Sequence, residues 1–172
     1  MQKRTNAVTF KGTPLTLVGP KLEVGQKAPD FACLAGLDIV KLAGTPAKPR
    51  LFSVVPSLDT GVCSLQTKKF DETLAELGDK VALYTISLDL PFAQGRFCTE
   101  NGIKTMKTLS DVHNHSFGEA YGVLMEGLPL PLLCRAVFVV DAAGTLTYVE
   151  YVPEVTSHPN YDGAGAELKK LA

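Results

Sequence analysis

Cys63 is the residue of this sequence best placed to act as a nucleophile. It closes the stretch Pro56-Ser57-Leu58-Asp59-Thr60-Gly61-Val62-Cys63. That stretch follows an apolar, β-prone run, Leu51 to Val55, and precedes residues of helical character from Ser64 to Leu77. A strand, a tight loop and a cysteine in the first turn of a helix make a reactive thiolate. Backbone N–H groups at a helix start lack intrahelical partners, and together with the helix dipole they stabilise negative charge. A thiol in such a place can titrate well below the free value of about 8.5. Thr60, three residues earlier, can set a hydroxyl beside the sulfur, and Pro56 ends the strand and fixes the backbone entering the loop. The competing reading is an inert core thiol, since free cysteine packs as a small apolar residue.

Two other residues could join this chemistry. Cys98 lies in a second helical stretch, Phe92 to Glu100, that starts after Pro91. There it is either a second thiol or a cysteine packed on a helix face. Arg135 heads a strong strand pattern, Arg135 to Val140, where an arginine is unexpected unless something uses it. A guanidinium stays charged and offers donors in a fixed fork; the alternative is a strand-end charge in solvent. Cys33 and Cys134 read as packing residues. Neighbours in a strand point to opposite faces, so Cys134 faces away from any site that Arg135 faces.

The elements that must position these residues follow from the apolar pattern. Val8–Phe10 and Leu15–Val18 flank Lys11-Gly12-Thr13-Pro14 and read as an N-terminal β-hairpin. Val24 to Phe31 is a loop punctuated by glycine and proline, Asp38 to Leu42 a short strand, and Thr45 to Pro49 a surface loop. Leu51–Val55 is a central strand buried on both faces. Val62, Leu65, Lys69, Phe70, Leu74 and Leu77 form an imperfect helical stripe that Gly78 stops. Val81 to Ser87 is the second strong strand, which completes a right-handed βαβ unit with a parallel pair. Lys107–Ser110 reads as a short strand and His115–Tyr121 as a short helix. Leu128 to Leu133 is an apolar loop interrupted by two prolines. Arg135–Val140 and Leu146–Tyr151 form a hairpin around Asp141-Ala142-Ala143-Gly144, and Asp162–Leu171 is a terminal helix. The sum is an α/β thioredoxin-like sandwich, a central mixed sheet flanked by helices, with an N-terminal β-hairpin.

Composition bounds the rest. The chain has 172 residues, enough for one domain with a real core, and 45% of them are hydrophobic. A net charge of −1 argues against a nucleic-acid surface driven by bulk charge. No run of eighteen apolar residues predicts a membrane span. The basic start, Met1 to Asn6, is not followed by an apolar stretch, which predicts no signal peptide and a cytoplasmic protein. In that compartment four dispersed cysteines point to transient, catalytic disulfides rather than structural ones.

The pattern Pro-x-x-x-Thr-x-x-Cys from Pro56 to Cys63 resembles the peroxidatic motif of the peroxiredoxins. With the segments Pro91 to Cys98 and Leu133-Cys134-Arg135-Ala136-Val137, the chain resembles their bacterial thiol peroxidase branch, atypical two-cysteine type, from the N-terminal hairpin to Tyr161. This resemblance implies a thiol-specific peroxidase with Cys63 as nucleophile and Thr60 and Arg135 completing the site behind Pro56. It also implies Cys98 as the resolving thiol, an intramolecular Cys63–Cys98 disulfide, thioredoxin as reductant and a homodimer. Hydrogen peroxide and organic hydroperoxides are the implied substrates, organic ones favoured by the apolar Leu124–Leu133 segment, which could instead be a dimer surface. No cofactor and no metal are implied. Gly61 stands where many members carry proline, which predicts a more flexible loop and an effect on rate.

Other chemistries fit less well. A disulfide reductase would want Cys-x-x-Cys, but Gln66 stands three residues after Cys63. No two cysteines have zinc-ligand spacing, and His113-Asn114-His115 reads as an exposed loop. A cysteine hydrolase would pair Cys63 with His113, His115 or His158, and nothing local supports that pairing. A non-enzymatic redox sensor would use the same cysteine pair.

Overall fold

A computed structural model describes the chain from Met1 to Ala172. Its elements are β1 (Lys3–Phe10), β2 (Thr13–Val18), β3 (Ala32–Ala35), β4 (Asp38–Lys41), β5 (Arg50–Val54), α1 (Gly61–Leu74), β6 (Ala82–Ser87), α2 (Pro91–Glu100), β7 (Met106–Ser110), α3 (Ser116–Ala120), β8 (Leu124–Glu126), β9 (Leu132–Leu133), β10 (Ala136–Val140), β11 (Leu146–Tyr151) and α4 (Tyr161–Leu171). Seven strands form the main sheet in the order β11-β10-β5-β6-β7-β3-β4, and four form a second sheet, β1-β2-β8-β9. The pairs β5–β6 and β6–β7 are parallel, and the pairs on either side of them are antiparallel. The main sheet is therefore mixed, with the βαβ unit at its centre.

Alternation along the central strands sorts the two faces. Phe52 and Val54 of β5 and Phe138 and Val140 of β10 pack with Phe117, Tyr121 and the hairpin residues Leu15 and Leu17. Leu51, Val137 and Val139 pack instead with Phe70 and Leu74 of α1 and Ala164 and Leu168 of α4. The second sheet and α3 thus cover one face, and α1 and α4 cover the other. On the covered hairpin side Phe117 and Tyr121 stack with ring centroids 4.0 Å apart.

Several boundaries differ from the sequence expectation. The β1–β2 turn is only Lys11-Gly12, both with positive φ (49° and 81°); this is the backbone of a two-residue hairpin turn, which glycine favours. The first helix starts at Gly61, before the predicted Ser64, and gives way after Leu74 to a 3-10 segment, Ala75–Lys80, containing Gly78 at φ 49°. The segment Ala32–Ala35, to which the apolar pattern assigns no element, is a strand paired with β4.

The apolar Leu124–Leu133 segment is not an irregular loop. Leu124 and Met125 pair with Leu133 and Leu132, and β8 also pairs with β2. Most of its apolar side chains pack on the second sheet, while Pro129, Leu130 (56% exposed) and Pro131 at its tip stay exposed. Only that tip remains as an exposed apolar surface of the segment.

Candidate active site

Strand β5 delivers the chain to the site. Beyond its end, Val55 N–H still donates to Ile86 O of β6 (3.0 Å), and Pro56 then turns the buried chain out into the loop. Two ties hold that loop to the segment after β6. Asp89 accepts from Ser57 Oγ (2.7 Å) and from Leu58 N–H (2.8 Å). Ser57 O in turn accepts the N–H of Thr60 (3.1 Å) and its hydroxyl (3.0 Å). Thr60, extended at φ −106°, ψ 151°, is the residue from which α1 starts. Its exposed hydroxyl is bonded to the Ser57 carbonyl and not to the Cys63 sulfur.

Cys63 is the third residue of α1 and fully buried, in a small apolar cluster with Val55, Leu58 and Phe97. Its sulfur has one polar partner on the far side: Arg135 Nη2 lies 3.4 Å away. Arg135 sits just before β10 and is 2% exposed. Its Nε donates to Val155 O (2.8 Å) and its Nη1 to Gln66 Oε1 (2.9 Å). Gln66 Nε2 donates onward to Ser53 Oγ of β5 (2.7 Å).

The three ion pairs of the chain involve Lys3, Lys169 and Lys170, so no carboxylate neutralises Arg135. A buried cation without a counter-ion is costly. Here it is held by two oxygen acceptors, Val155 O and Gln66 Oε1, and aimed at a sulfur that can become an anion. Such a pairing favours charge on the sulfur and on an oxygen leaving from it. Gln66 and Ser53 were not singled out from the sequence. The available signal was a polar side chain one helical turn after Cys63, on the face that the stripe buries.

Cys98 lies in the last turn of α2, half-buried, packed against the same cluster as Cys63. Burial pushes its thiol up, the Thr108 hydroxyl pulls it down, and the negative charge of Asp71 pushes it up again. All four cysteines are free thiols. A depression of about 300 Å³ lies between the loop, the start of α1 and α2, lined by Thr60, Gly61, Ser64, Arg96 and Phe97 among others.

The remaining cysteines belong to the core of the opposite face. Cys33 Sγ donates to buried Asp111 (3.6 Å), and burial, with that carboxylate, pushes its thiol up. Burial pushes Cys134 up to about 12. No histidine reaches Cys63; His158 Nδ1 lies 2.7 Å from Tyr161 Oη instead. No group of three or more His, Cys, Asp or Glu side chains is disposed to hold a metal ion.

The redoxin family profile matches residues 23–164. The thiol peroxidase of Halalkalibacterium halodurans is 54% identical over 159 residues, covering 92% of this chain and 94% of that one. The thiol peroxidase of Bacillus subtilis is 53% identical over 156 residues, covering 90% and 92%. The chain belongs to the redoxin family, in its thiol peroxidase branch. Among solved structures, a peroxiredoxin-like protein from Aquifex aeolicus superposes with a TM-score of 0.90 at 41% identity, over 97% of this chain and 98% of that one. A thiol peroxidase from Chromobacterium violaceum shares the fold, with a TM-score of 0.85 at 22% identity over 95% of each chain. This member of the thiol peroxidase branch is thus a peroxiredoxin-type enzyme on a thioredoxin-like scaffold. No helix in it is long and apolar enough to cross a membrane.

Proposed function

We propose that this thiol peroxidase reduces hydrogen peroxide and organic hydroperoxides to water and alcohols through Cys63, Thr60, Arg135 and Cys98, with Pro56 shaping the loop. The Cys63 thiolate attacks the terminal peroxide oxygen. An S–O bond forms, the O–O bond breaks, and the alkoxide or hydroxide leaves and takes a proton to become alcohol or water. The two electrons come from sulfur, which becomes a sulfenic acid. Arg135 stabilises the attacking thiolate and the charge that develops on the departing oxygen. Thr60, at the mouth of the depression, is near enough to the first turn of α1 for its hydroxyl to contact a bound peroxide.

The Cys98 thiol then attacks the sulfenic sulfur; the S–S bond forms and hydroxide leaves with the proton from Cys98 as water. A thioredoxin-type dithiol reduces the Cys63–Cys98 disulfide and is itself oxidised to a disulfide. The same reading has the chain working as one domain, as a cytoplasmic homodimer.

The observation that carries this reading is the buried, carboxylate-free guanidinium 3.4 Å from the Cys63 sulfur. The shared apolar cluster of Cys63 and Cys98 supports the second step. The test is one equivalent of peroxide on the reduced protein, followed by thiol blocking, digestion and peptide mass mapping. A Cys63–Cys98 link within one chain is expected. Sulfenic or sulfinic acid on Cys63 with Cys98 still free would discard the resolving role. Four unreacted thiols would remove the nucleophile.

A further inference from the structure

The helix that carries Cys98 is tied at both ends to the elements that carry Cys63. Before its start, Asp89 takes Ser57 Oγ and the Leu58 N–H from the Cys63 loop, and also Ser87 Oγ from the end of β6 (2.7 Å). Beyond its end, the carboxylate of Asp71, on the Cys63 helix itself, accepts three successive backbone N–H groups. These are Lys104 (3.1 Å), Thr105 (2.7 Å) and Met106 (2.9 Å), and the Thr105 hydroxyl donates as well (2.7 Å). Thr105 Oγ1 also reaches the Asp71 carbonyl (3.2 Å). Asp71 is buried and forms no ion pair. Burial pushes its carboxyl up, but these hydrogen bonds outweigh burial and hold it below the usual carboxylate range.

Between the two ties the first half of α2 is held to the sheet by Gln94, whose Nε2 donates to Ser87 Oγ (3.1 Å) and Leu109 O (3.0 Å), and the half that carries Cys98 by the packing of Phe97. The helix's only buried residues are Gln94 and Phe97. Its last turn closes with the Asn101 N–H on Phe97 O (3.0 Å) and the Ile103 N–H on Cys98 O (3.0 Å). Gly102, at φ 62°, takes the left-handed conformation that ends it. The stretch that Asp71 holds begins at Lys104, after Ile103.

We propose that Asp71 is a positioning residue for disulfide formation: it fixes the point at which unwinding of the Cys98 helix stops. The proposal rests on the peroxidase cycle above, in which Cys98 attacks the Cys63 sulfenic acid. For the S–S bond to form, the two Cα atoms must come to about 5.5 Å. Of the six residue steps from Cys98 to Lys104 only those to Glu100 are helical and the rest is a turn at Gly102; fully extended, the six steps reach about 20 Å. Unwinding the last helical turn and straightening the chain after it therefore lengthen the tether with its end still fixed. Because Asp71 rides on the same helix as Cys63, that end stays fixed relative to the sulfur to be attacked. Without Asp71 the next fixed point is Met106, paired with Leu83 in the sheet. The freed residues widen the volume that the Cys98 thiol searches and lower its local concentration at Cys63.

The test separates the two chemical steps by single-turnover quench and mass spectrometry in wild type, Asp71→Asn and Asp71→Ala. Hydrogen exchange of the reduced and disulfide forms is read alongside. In Asp71→Ala, Cys63 oxidation is expected within twofold of wild type. Disulfide formation is expected to slow relative to that oxidation step by at least about 1.5-fold, the −3/2-power cost of lengthening the tether from about six residue steps to about eight, and over-oxidation of Cys63 to rise. Asp71→Asn, which keeps one acceptor oxygen, should slow it less. In the wild-type disulfide form, residues 91–103 should lose exchange protection while the amides of 104–106 keep it.

A merely structural role for Asp71 would lower thermal stability without separating the two rates. If Asp71→Ala does not fold, Thr105→Val removes the hydroxyl that bonds Asp71 and leaves the carboxylate with its three backbone N–H partners. An unchanged second step in a folded variant, or lost protection at 104–106 in the wild-type disulfide, would overturn the proposal. Absence of any Cys63–Cys98 link in wild type would instead overturn the cycle on which it rests.

Discussion

Replacing Arg135 with methionine, which has similar reach and no charge, isolates what the guanidinium does. Three hydrogen bonds disappear: to Cys63 Sγ, Gln66 Oε1 and Val155 O. Two unit charges 3.4 Å apart at an effective dielectric of about 20 attract by about 5 kcal/mol, which is a ceiling. The net worth of a hydrogen bond to a charged group is about 1.5–3 kcal/mol. At about 1.4 kcal/mol per factor of ten, the rate of Cys63 with peroxide should fall roughly 10- to 150-fold. Stability should change much less. Gln66 and Val155 lose donors, at about 1–3 kcal/mol each, but an uncompensated buried cation is removed, which offsets much of that loss.

The chain has no tryptophan, so the reaction is followed by acid quench and mass spectrometry of Cys63, with thermal melts in parallel. A variant that folds and reacts within threefold of wild type would refute the electrostatic role. A variant that loses both activity and fold in proportion would show that the arginine serves the core and not the sulfur.

Other outcomes follow from the same geometry. Gly61→Pro should be accommodated: Thr60 before it is extended, and a Cβ at Gly61 would meet nothing within 4 Å. Proline at a first helical position stabilises by about 0.4–1 kcal/mol, so the melting temperature should rise and disulfide formation slow about two- to fivefold, whereas an unchanged disulfide rate would mean that the α1 start need not open. In a Cys63→Ser variant, burial and Asp71 keep the Cys98 thiol up, so alkylation should be slow at neutral pH and rise steeply under alkaline conditions; rapid alkylation at pH 7 would contradict this. Asp71 titrates below its ordinary value of 3.8 in the folded chain. Its contribution to stability is therefore present above about pH 4 and lost as pH falls further. Asp71→Asn should flatten that part of the acid-denaturation profile, and an unaltered profile would show that its hydrogen bonds do not favour the charged form.

The central layer was legible because periodicity and burial agree there. Leu51–Val55 and Val81–Ser87 are continuous apolar runs, and both are interior strands. The short strands β3, β8 and β9 were not legible. They are two to four residues long, too short for a periodicity to show; β8 is placed by distant β2, while β3 is placed by adjacent β4 across the Gly36-Leu37 turn. The site divides in the same way. Loop, helix start and cysteine are contiguous in sequence, so Cys63 could be found from its neighbours.

The environment of Arg135 is assembled from β5, α1 and the segment after β11, so local sequence alone favours a solvent-exposed charge there. Gln66 and Asp71 shared one signal, a polar residue on the buried face of α1, and its meaning lay in which distant backbone or side chain each one met. Thr60 is a different case. Its proximity to Cys63 in sequence suggested a bond to sulfur, but the loop geometry turns its hydroxyl to the Ser57 carbonyl in the free protein.

The missing carboxylate beside Arg135 gives the proposed cycle an electrical side. With a thiolate at position 63 the buried pair is neutral as a unit. Once that sulfur is bonded to Cys98 it carries no charge, and the guanidinium stands alone in a dry interior. Oxidation thus converts a balanced site into one with a net buried positive charge, and the folded arrangement around it becomes the less favourable one. The electrostatic cost falls on the packed form of the oxidised enzyme. The protein is biased to stay open, with its disulfide offered to a reductant, until the return of the thiolate lets the site close.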